Sequence, residues 1–527
     1  MRLRRPHTLI FVLASLVLAL PALAHAATYC VNSPGCAGTS EPDLQSALDA
    51  AAATATQADT VDVGNPGPPI SGGYHYTDSG NAANQVAIVG AARTTTVLKA
   101  TSGSGSGLYL NGTGSTASHL TVQAPQGGGY GMQTNGSLSD VDITSADPGT
   151  GAQTGVYFYG PNSTWTGGTL TLASGSGIQT GTYASTPGVS YTLQDVTVNA
   201  EDTGVFGAQG SMLLRRVRIA SAAGIQASGE HLVADNLTFV ATGSNAFTFV
   251  QSTGTLDSTV SLNHVSAFGP GATSDGVIAT SSNPGRSVTA TVRNSVFRNF
   301  LFSLYRNADG SGASTNVSVS YSDIDLVHTT NTNTNGGSGG ITLGPGNLDT
   351  DPLWLGAPAG NFSLKPASPV IDAGDPAGLV AGDSATDVLG QPRSSNGRQD
   401  MGAVEFQQPP PPVVDKTPPT FKTSKLPKKL RFKRLLAGLT FTVNPSEPAA
   451  FDATLAGAAR SVKLAKTYNV TISHRALKLA PGRRRITLKV RRKLFGKSRK
   501  FTLRLTLVAT DAAGNKTTKR STIKVRK

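Results

Sequence analysis

The residues best suited to chemistry recur at regular intervals. Six glycines, Gly107, Gly131, Gly155, Gly177, Gly204 and Gly224, each precede an apolar–outward–apolar triplet. The central residues of those triplets are Tyr109, Gln133, Tyr157, Gln179, Phe206 and Gln226, so aromatic and amide side chains alternate. Stacked as parallel strands, equivalent positions form a column stepping about 4.8 Å, with a ring about every 10 Å. That repeat approaches the length of a disaccharide in an extended glycan. Rings stack on sugar faces and carboxamides bond hydroxyls, which makes these six the candidate polysaccharide-binding residues. Tyr159 and Trp165 read as flanking the middle of the column. The competing reading is that such side chains simply pack on one another along a strand surface.

A second series precedes the next strand of each repeat: His119, Asp140, Thr169, Asp195, Arg216, Asn236 and His264. Asp195 and Arg216 fall one repeat apart. With His264 they offer groups for proton abstraction in a polysaccharide lyase, or for acid–base hydrolysis. Glycosidase carboxylates must lie within about 10 Å of each other, a limit that Asp140 and Asp195 only marginally meet. A charge ladder on a solvated face is the simpler reading. Asp323 and Asp325 likewise read as outward polar alternation. No motif implies a cofactor or a metal, and none is expected.

These positions need elements to hold them. Successive glycines of the series lie 20 to 27 residues apart, and a second apolar segment follows each one. Those segments fall at 120–122, 141–143, 170–172, 196–198, 217–219 and 237–239, with wider-spaced copies around Val265, Val296 and Ile324. Short period-2 strands separated by Gly, Asn, Ser and Thr turns, with no helical period between them, specify a β-solenoid. Propeller blades need longer units, and leucine-rich repeats need fixed leucines. Parallel crossovers are right-handed, so the expected fold is all-β, a right-handed parallel β-helix. Its open ends need covers. Residues 28–31 read as a first strand and 43–50 as a short amphipathic cap helix with Leu44, Ala47 and Leu48 on one face.

Composition sets the outer limits. Sixty glycines in 527 residues are far from the third that collagen requires, and two cysteines exclude a disulfide scaffold. Arg2, Arg4 and Arg5, an apolar run over 9–20 and small residues at Ala22, Ala24 and Ala26 read as a signal peptide over 1–26. The run is too short to span a bilayer comfortably. The mature chain is therefore expected to be secreted or at the cell surface, without a transmembrane helix. Export favours a Cys30–Cys36 disulfide, whose small loop is worth about 2 kcal/mol.

Charge divides the chain. Residues 415–527 hold 30 Lys/Arg against four acids, whereas 27–414 hold 12 against 27. A Pro-rich linker at 407–416 separates a β-helix over 27–406 from a small basic β-sandwich over 417–527. Three readings fit the basic domain: attachment to an anionic cell-wall polymer, a merely solvated face, and nucleic-acid binding, the last the least favoured.

Residues 349–405 carry an ordered string of Asp, Pro and Gly. It includes Asp349-Thr350-Asp351-Pro352, Ser368-Pro369-Val370-Ile371-Asp372-Ala373-Gly374-Asp375 and Asp400-Met401-Gly402. This stretch resembles the terminal module that follows the β-helix in secreted bacterial proteins of the choice-of-anchor type. The resemblance implies a surface protein whose repeat body is followed by an attachment domain. Asp351, Asp372, Asp375, Asp400 and Glu405 then serve either a Ca²⁺ site or turn chemistry, the latter preferred. Residues 510–515 resemble the hairpin near the end of bacterial immunoglobulin-like modules. The functional expectation is a secreted surface protein contacting polysaccharide and attached through its basic domain. The alternative is a carbohydrate-active enzyme, lyase or glycosidase.

Overall fold

The computed structural model describes residues 26–54, 57–65, 67–78, 83–101, 103, 105–145, 153–180, 190–271, 273–395, 397–407, 415–459, 468–495 and 500–527. The signal segment before Ala26 and the prolines at 409–412 lie outside the described residues. The chain divides into two compact units, 1–408 and 409–527.

In the first unit every described pairing from Thr28–Val31 to Ser338–Leu343 is parallel. Eleven described strands, from Tyr74–Thr77 to Thr329–Thr334, stack in chain order as one face. Longer strands such as Thr116–Ala124 and Ser258–Gly271 bend midway and supply two further faces. The three enclose one apolar core that runs from Tyr29 to Ile324. This is a parallel β-helix, as the period of the sequence requires.

The repeating glycines are steric. A Cβ on Gly131 would lie 2.6 Å from the Gly155 carbonyl oxygen and 2.6 Å from Ile143 Cγ2. On Gly177 it would lie 2.6 Å from the Gly204 oxygen and 2.7 Å from Val198 Cγ1. Each rung therefore enters this face where the next rung's backbone and the opposite wall leave no room for a side chain. Phe247 breaks the series. It lies buried against Phe239 and Phe297, with centroids 4.9 and 5.7 Å away, and the wider-spaced later repeats follow it.

The two ends close differently. At the first rung, helix Leu44–Ala53 buries Leu44, Ala47, Leu48 and Ala51, and Asp43 caps it by accepting the Ser46 N–H at 2.8 Å. The Cys30–Cys36 disulfide closes a loop beside it. At the other end, one rung before the last, Arg306 occupies a fully buried inward position. Its guanidinium donates to the carbonyls of Thr315 (2.7 Å), Thr332 (2.7 Å) and Ser338, and to Asn331 and Asn333. The stretch read as a terminal cap instead lies along the flank, where Phe362, Val388 and Ala403 pack with Val240 and Phe268. The polar final rung stays largely exposed.

The second unit packs a three-stranded sheet on a five-stranded one around Phe421, Phe441, Phe451, Leu505 and Ile523. Strands Phe421–Ser424, Leu439–Pro445 and Arg484–Leu488 form the smaller sheet. Strand Phe501–Thr510 turns through Asp511–Asn515 into Lys516–Arg526 in the larger. No described helix is long and apolar enough to cross a membrane.

Two substitutions test this packing. Gly131→Ala forces the contacts above and should cost about 1–3 kcal/mol, read as a lower urea midpoint with an unchanged slope. Arg306→Ala strands the buried Thr315 carbonyl and removes the ties to Thr332 and Ser338, and should cost at least ~2 kcal/mol. Its loss should register first as faster amide exchange in 304–343.

Candidate functional site

Strand pairing sets the six column residues side by side. Tyr109 pairs with Gln133, Gln133 with Tyr157, Tyr157 with Gln179, Gln179 with Phe206, and Phe206 with Gln226. The same line continues upward to His75 and downward through Phe249, Ile278 and Tyr305. The side chain of Gln179 lies outside the described residues; Tyr109, Gln133, Tyr157, Phe206 and Gln226 are all half-buried.

The rings touch each other. His75 stacks on Tyr109 at 4.7 Å with planes 3° apart, and Tyr159 stacks on the same ring at 6.0 Å and 12°. Tyr157 contacts Tyr159 at 6.0 Å and Tyr130 at 5.3 Å. A centroid spacing equal to about one rung places the ring normals along the coil axis. His75 and Tyr109 therefore turn edges outward, not the flat faces that the spacing argument supposes. Trp165 does not flank the column at all. It is fully buried at an inward strand position between Leu138 and Leu193.

The second series is a corner. His119, Asp140, Asp195, Arg216, Asn236 and His264 all adopt left-handed backbone, with φ from 52° to 58°. Asn294 and Tyr321 continue the line at 50° and 47°. Asn, Asp and His tolerate this conformation best among non-glycine residues, which explains their recurrence just before each strand. Thr169 does not belong: the pairing of Ser139 with Thr166 and of Thr166 with Gln194 assigns that corner to Gly167, φ 71°.

Asp195 and Arg216 do meet, through Nε–Oδ1 at 2.6 Å and Nη2–Oδ2 at 2.7 Å. The guanidinium bonds hold the Asp195 carboxyl below its usual range and raise Arg216 in turn. A carboxylate so stabilised is a weak base, and its arginine holds its proton more firmly still. Arg216 also donates to Ser384 Oγ at 3.1 Å. His264 is fully buried between Asp235 and Gln399, and burial pushes it down to about 4.

The lower corner is where the flank segment docks. Ser384 N–H donates to Asp235 (2.7 Å), Asp375 N–H to Asn294 (2.7 Å) and Arg293 to Asp383 (2.6 Å). Four of the five carboxylates named for that segment, those of Asp351, Asp375, Asp400 and Glu405, serve its turns. Asp400 accepts from the N–H groups of Asp372 (2.7 Å) and Phe406 (2.6 Å), Glu405 from that of Asp400 (3.0 Å), and Asp351 from that of Leu353 (2.9 Å). Asp375 caps Ala377. Asp323 is buried against Arg298 and the Thr350 N–H, not turned outward.

No family model matches this sequence, and no curated protein is similar to it. Among solved structures, the chain is similar to the tailspike protein gp49 of Acinetobacter baumannii bacteriophage Fri1, a capsular polysaccharide depolymerase. The likeness spans 95% of this chain and 78% of that one at 7% identity and a TM-score of 0.28. Such a likeness is distant. The fold assignment rests on the strand pairing itself.

Three features escaped the reading of the sequence. Glu230 sits buried where the neighbouring rungs carry Gly210 and Ser258. Its Oε2 accepts the Gly210 N–H at 2.8 Å while Oε1 has no hydrogen-bond partner, and burial pushes the carboxyl up to about 7. With Gln209, Ser211, His231, Asp257 and Thr259 it lines a cleft of about 260 Å³. A lone acid in a column of small residues was the available signal. In the second unit, three of its four acids converge: carboxylate oxygens of Asp415, Glu447 and Asp511 lie within 4.8 Å of one another, a set able to ligate a hard cation. On the larger sheet, Lys429 pairs with Lys524 and Arg431 with Arg526. Like charges placed directly opposite are destabilising.

Glu230 makes pH a probe of the coil. Its folded pKa lies above the unfolded one, so a stability present below pH ~4.5 is lost as pH rises towards 7. Glu230→Gln should therefore gain in Tm over the native chain progressively between pH 5 and 8, with the difference smallest at the acid end.

Proposed function

We propose that this protein is exported and contacts an extended polysaccharide along the face that carries the His75-to-Tyr305 column. One observation carries the reading. A contiguous five-ring patch of His75, Tyr109, Tyr130, Tyr157 and Tyr159 stands beside an amide, Gln133, at its centre. Because the rings are self-stacked, a glycan lying along the axis meets ring rims, phenolic hydroxyls and the carboxamide. Such contacts fix orientation by hydrogen bonding and exclude water along the rim. Binding to a panel of neutral and acidic polysaccharides tests it. Tyr157→Ala and Tyr109→Ala should each weaken binding about tenfold, or ~1.4 kcal/mol, while Ser287→Ala on another face leaves it unchanged. Wild-type affinity in both tyrosine variants would remove the reading.

The basic second unit serves, in this proposal, as an immunoglobulin-like attachment domain for an anionic wall polymer, in the slot where choice-of-anchor proteins carry theirs. Support comes from the like-charged pairs Lys429–Lys524 and Arg431–Arg526. These pairs lie on the larger sheet, in a unit where 30 Lys/Arg stand against four acids over residues 415–527. Washing cells with about 1 M salt, which shortens the screening length to about 3 Å, should release the protein, as should deletion of 415–527. Retention in both cases excludes electrostatic attachment.

A second reading, cleavage of the glycan, is favoured by a different site from the one its sequence motif named. Glu230 titrates near neutrality in a cleft beside His231 and Asp257, which suits a general acid or base. New reducing ends or unsaturated products that vanish in Glu230→Gln, but persist in Asp195→Asn, would put catalysis first.

A further inference from the structure

The first coil contains a buried carboxylate with no cation beside it. Asp59 is 1% exposed. Its Oδ2 accepts the Thr54 hydroxyl, and its Oδ1 accepts the backbone N–H of Ala27 at 2.7 Å. No Lys, Arg or His pairs with it among the described residues. An ionised carboxylate held away from water by neutral donors alone is costly, and removing one of those donors makes it costlier.

The nitrogen that reaches Asp59 is a particular one. Ala27 follows the small-residue series Ala22, Ala24, Ala26 after which a signal peptidase cuts. Hydrolysis of the Ala26–Ala27 bond consumes one water. Its hydroxyl goes to the Ala26 carbonyl, which leaves as a carboxylate, and the Ala27 nitrogen becomes an ammonium. The same atom, still 2.7 Å from Oδ1, then carries a full positive charge. Charge-assisted hydrogen bonds are shorter and roughly twice as strong as neutral ones. Geometry already fixes the approach: Thr60 N–H donates to the Ala27 carbonyl at 2.9 Å, and Thr28 pairs with Thr60.

We propose that Asp59 is the receptor for the chain's own α-ammonium, so that cleavage after Ala26 completes the first coil by supplying the missing counter-ion. The proposal rests on the export reading, and its test separates the two. Intact mass of the exported protein gives the first residue. A start other than Ala27 overturns both the boundary and the receptor site.

With Ala27 established as the start, two purified chains are compared, one beginning at Ala27 and one at Ala26, both keeping Asp59. The Ala27 chain should melt about 2–4 °C higher. Its α-amine should react with an amine-directed acylating reagent at least tenfold more slowly than that of the Ala26 chain. Asp59→Asn in the Ala27 chain should restore fast labelling and erase the melting difference. Equal labelling and equal Tm in the Ala27 and Ala26 chains would overturn the receptor site while leaving export intact. Because that comparison leaves Asp59 in place, it stands even if Asp59→Asn fails to fold.

Discussion

Parallel, in-register pairing between successive rungs is the constraint on which everything else in the first unit depends. Each strand exhausts its backbone donors and acceptors on the rungs above and below, so one missing rung would leave two unsatisfied edges inside a stacked column. Register follows from the same requirement. Because side chains alternate in and out with period 2, a slip of one residue would exchange Leu108 and Leu110 for Tyr109 in the core. The ring patch, the left-handed corner and the flank docking line are all products of that fixed vertical order.

Much of this order was legible because it repeats. The glycine series marked positions where the next rung's carbonyl excludes a Cβ, and the triplets after it gave the register that the pairing of Tyr109 through Gln226 shows. Legibility failed where one rung solved a local problem in its own way. Phe247 fills a position that six earlier repeats give to glycine. Gly167 makes the turn that the surrounding rungs make with Asp, so the position carries no side chain to mark it and Thr169 stands two residues beyond. Trp165 lies close to Tyr159 in sequence, yet strand phase turns it inward between Leu138 and Leu193. Glu230, Arg306 and Asp59 were invisible for a further reason. Each is a single charged residue among small or apolar ones, and only the coordinates show that its surroundings are closed.

Those three buried charges answer three different needs. Arg306 ties the Thr315 and Thr332 carbonyls together from inside the coil, one rung before the open end. Glu230 interrupts a column of small residues, and burial keeps its carboxyl protonated up to about pH 7. Asp59 holds the entry to the first strand by accepting the Ala27 N–H and the Thr54 hydroxyl. In contrast, the corner pair Asp195–Arg216 is a surface-side tie, and its partners Ser384 and Thr386 show that it belongs to the fastening of the flank segment.

That fastening has a mechanical meaning. The flank segment ends at Phe406, which packs near Val296 and Tyr321 alongside Leu364 and Met401, within two rungs of the open end. A load reaching residue 407 therefore meets the flank ties at Asp235, Arg293 and Asn294, with Ser266 accepting the Ala403 N–H, before it meets the strand ladders of the coil. Several hydrogen bonds on three different rungs then share what a tether leaving from the final strand would place on one ladder.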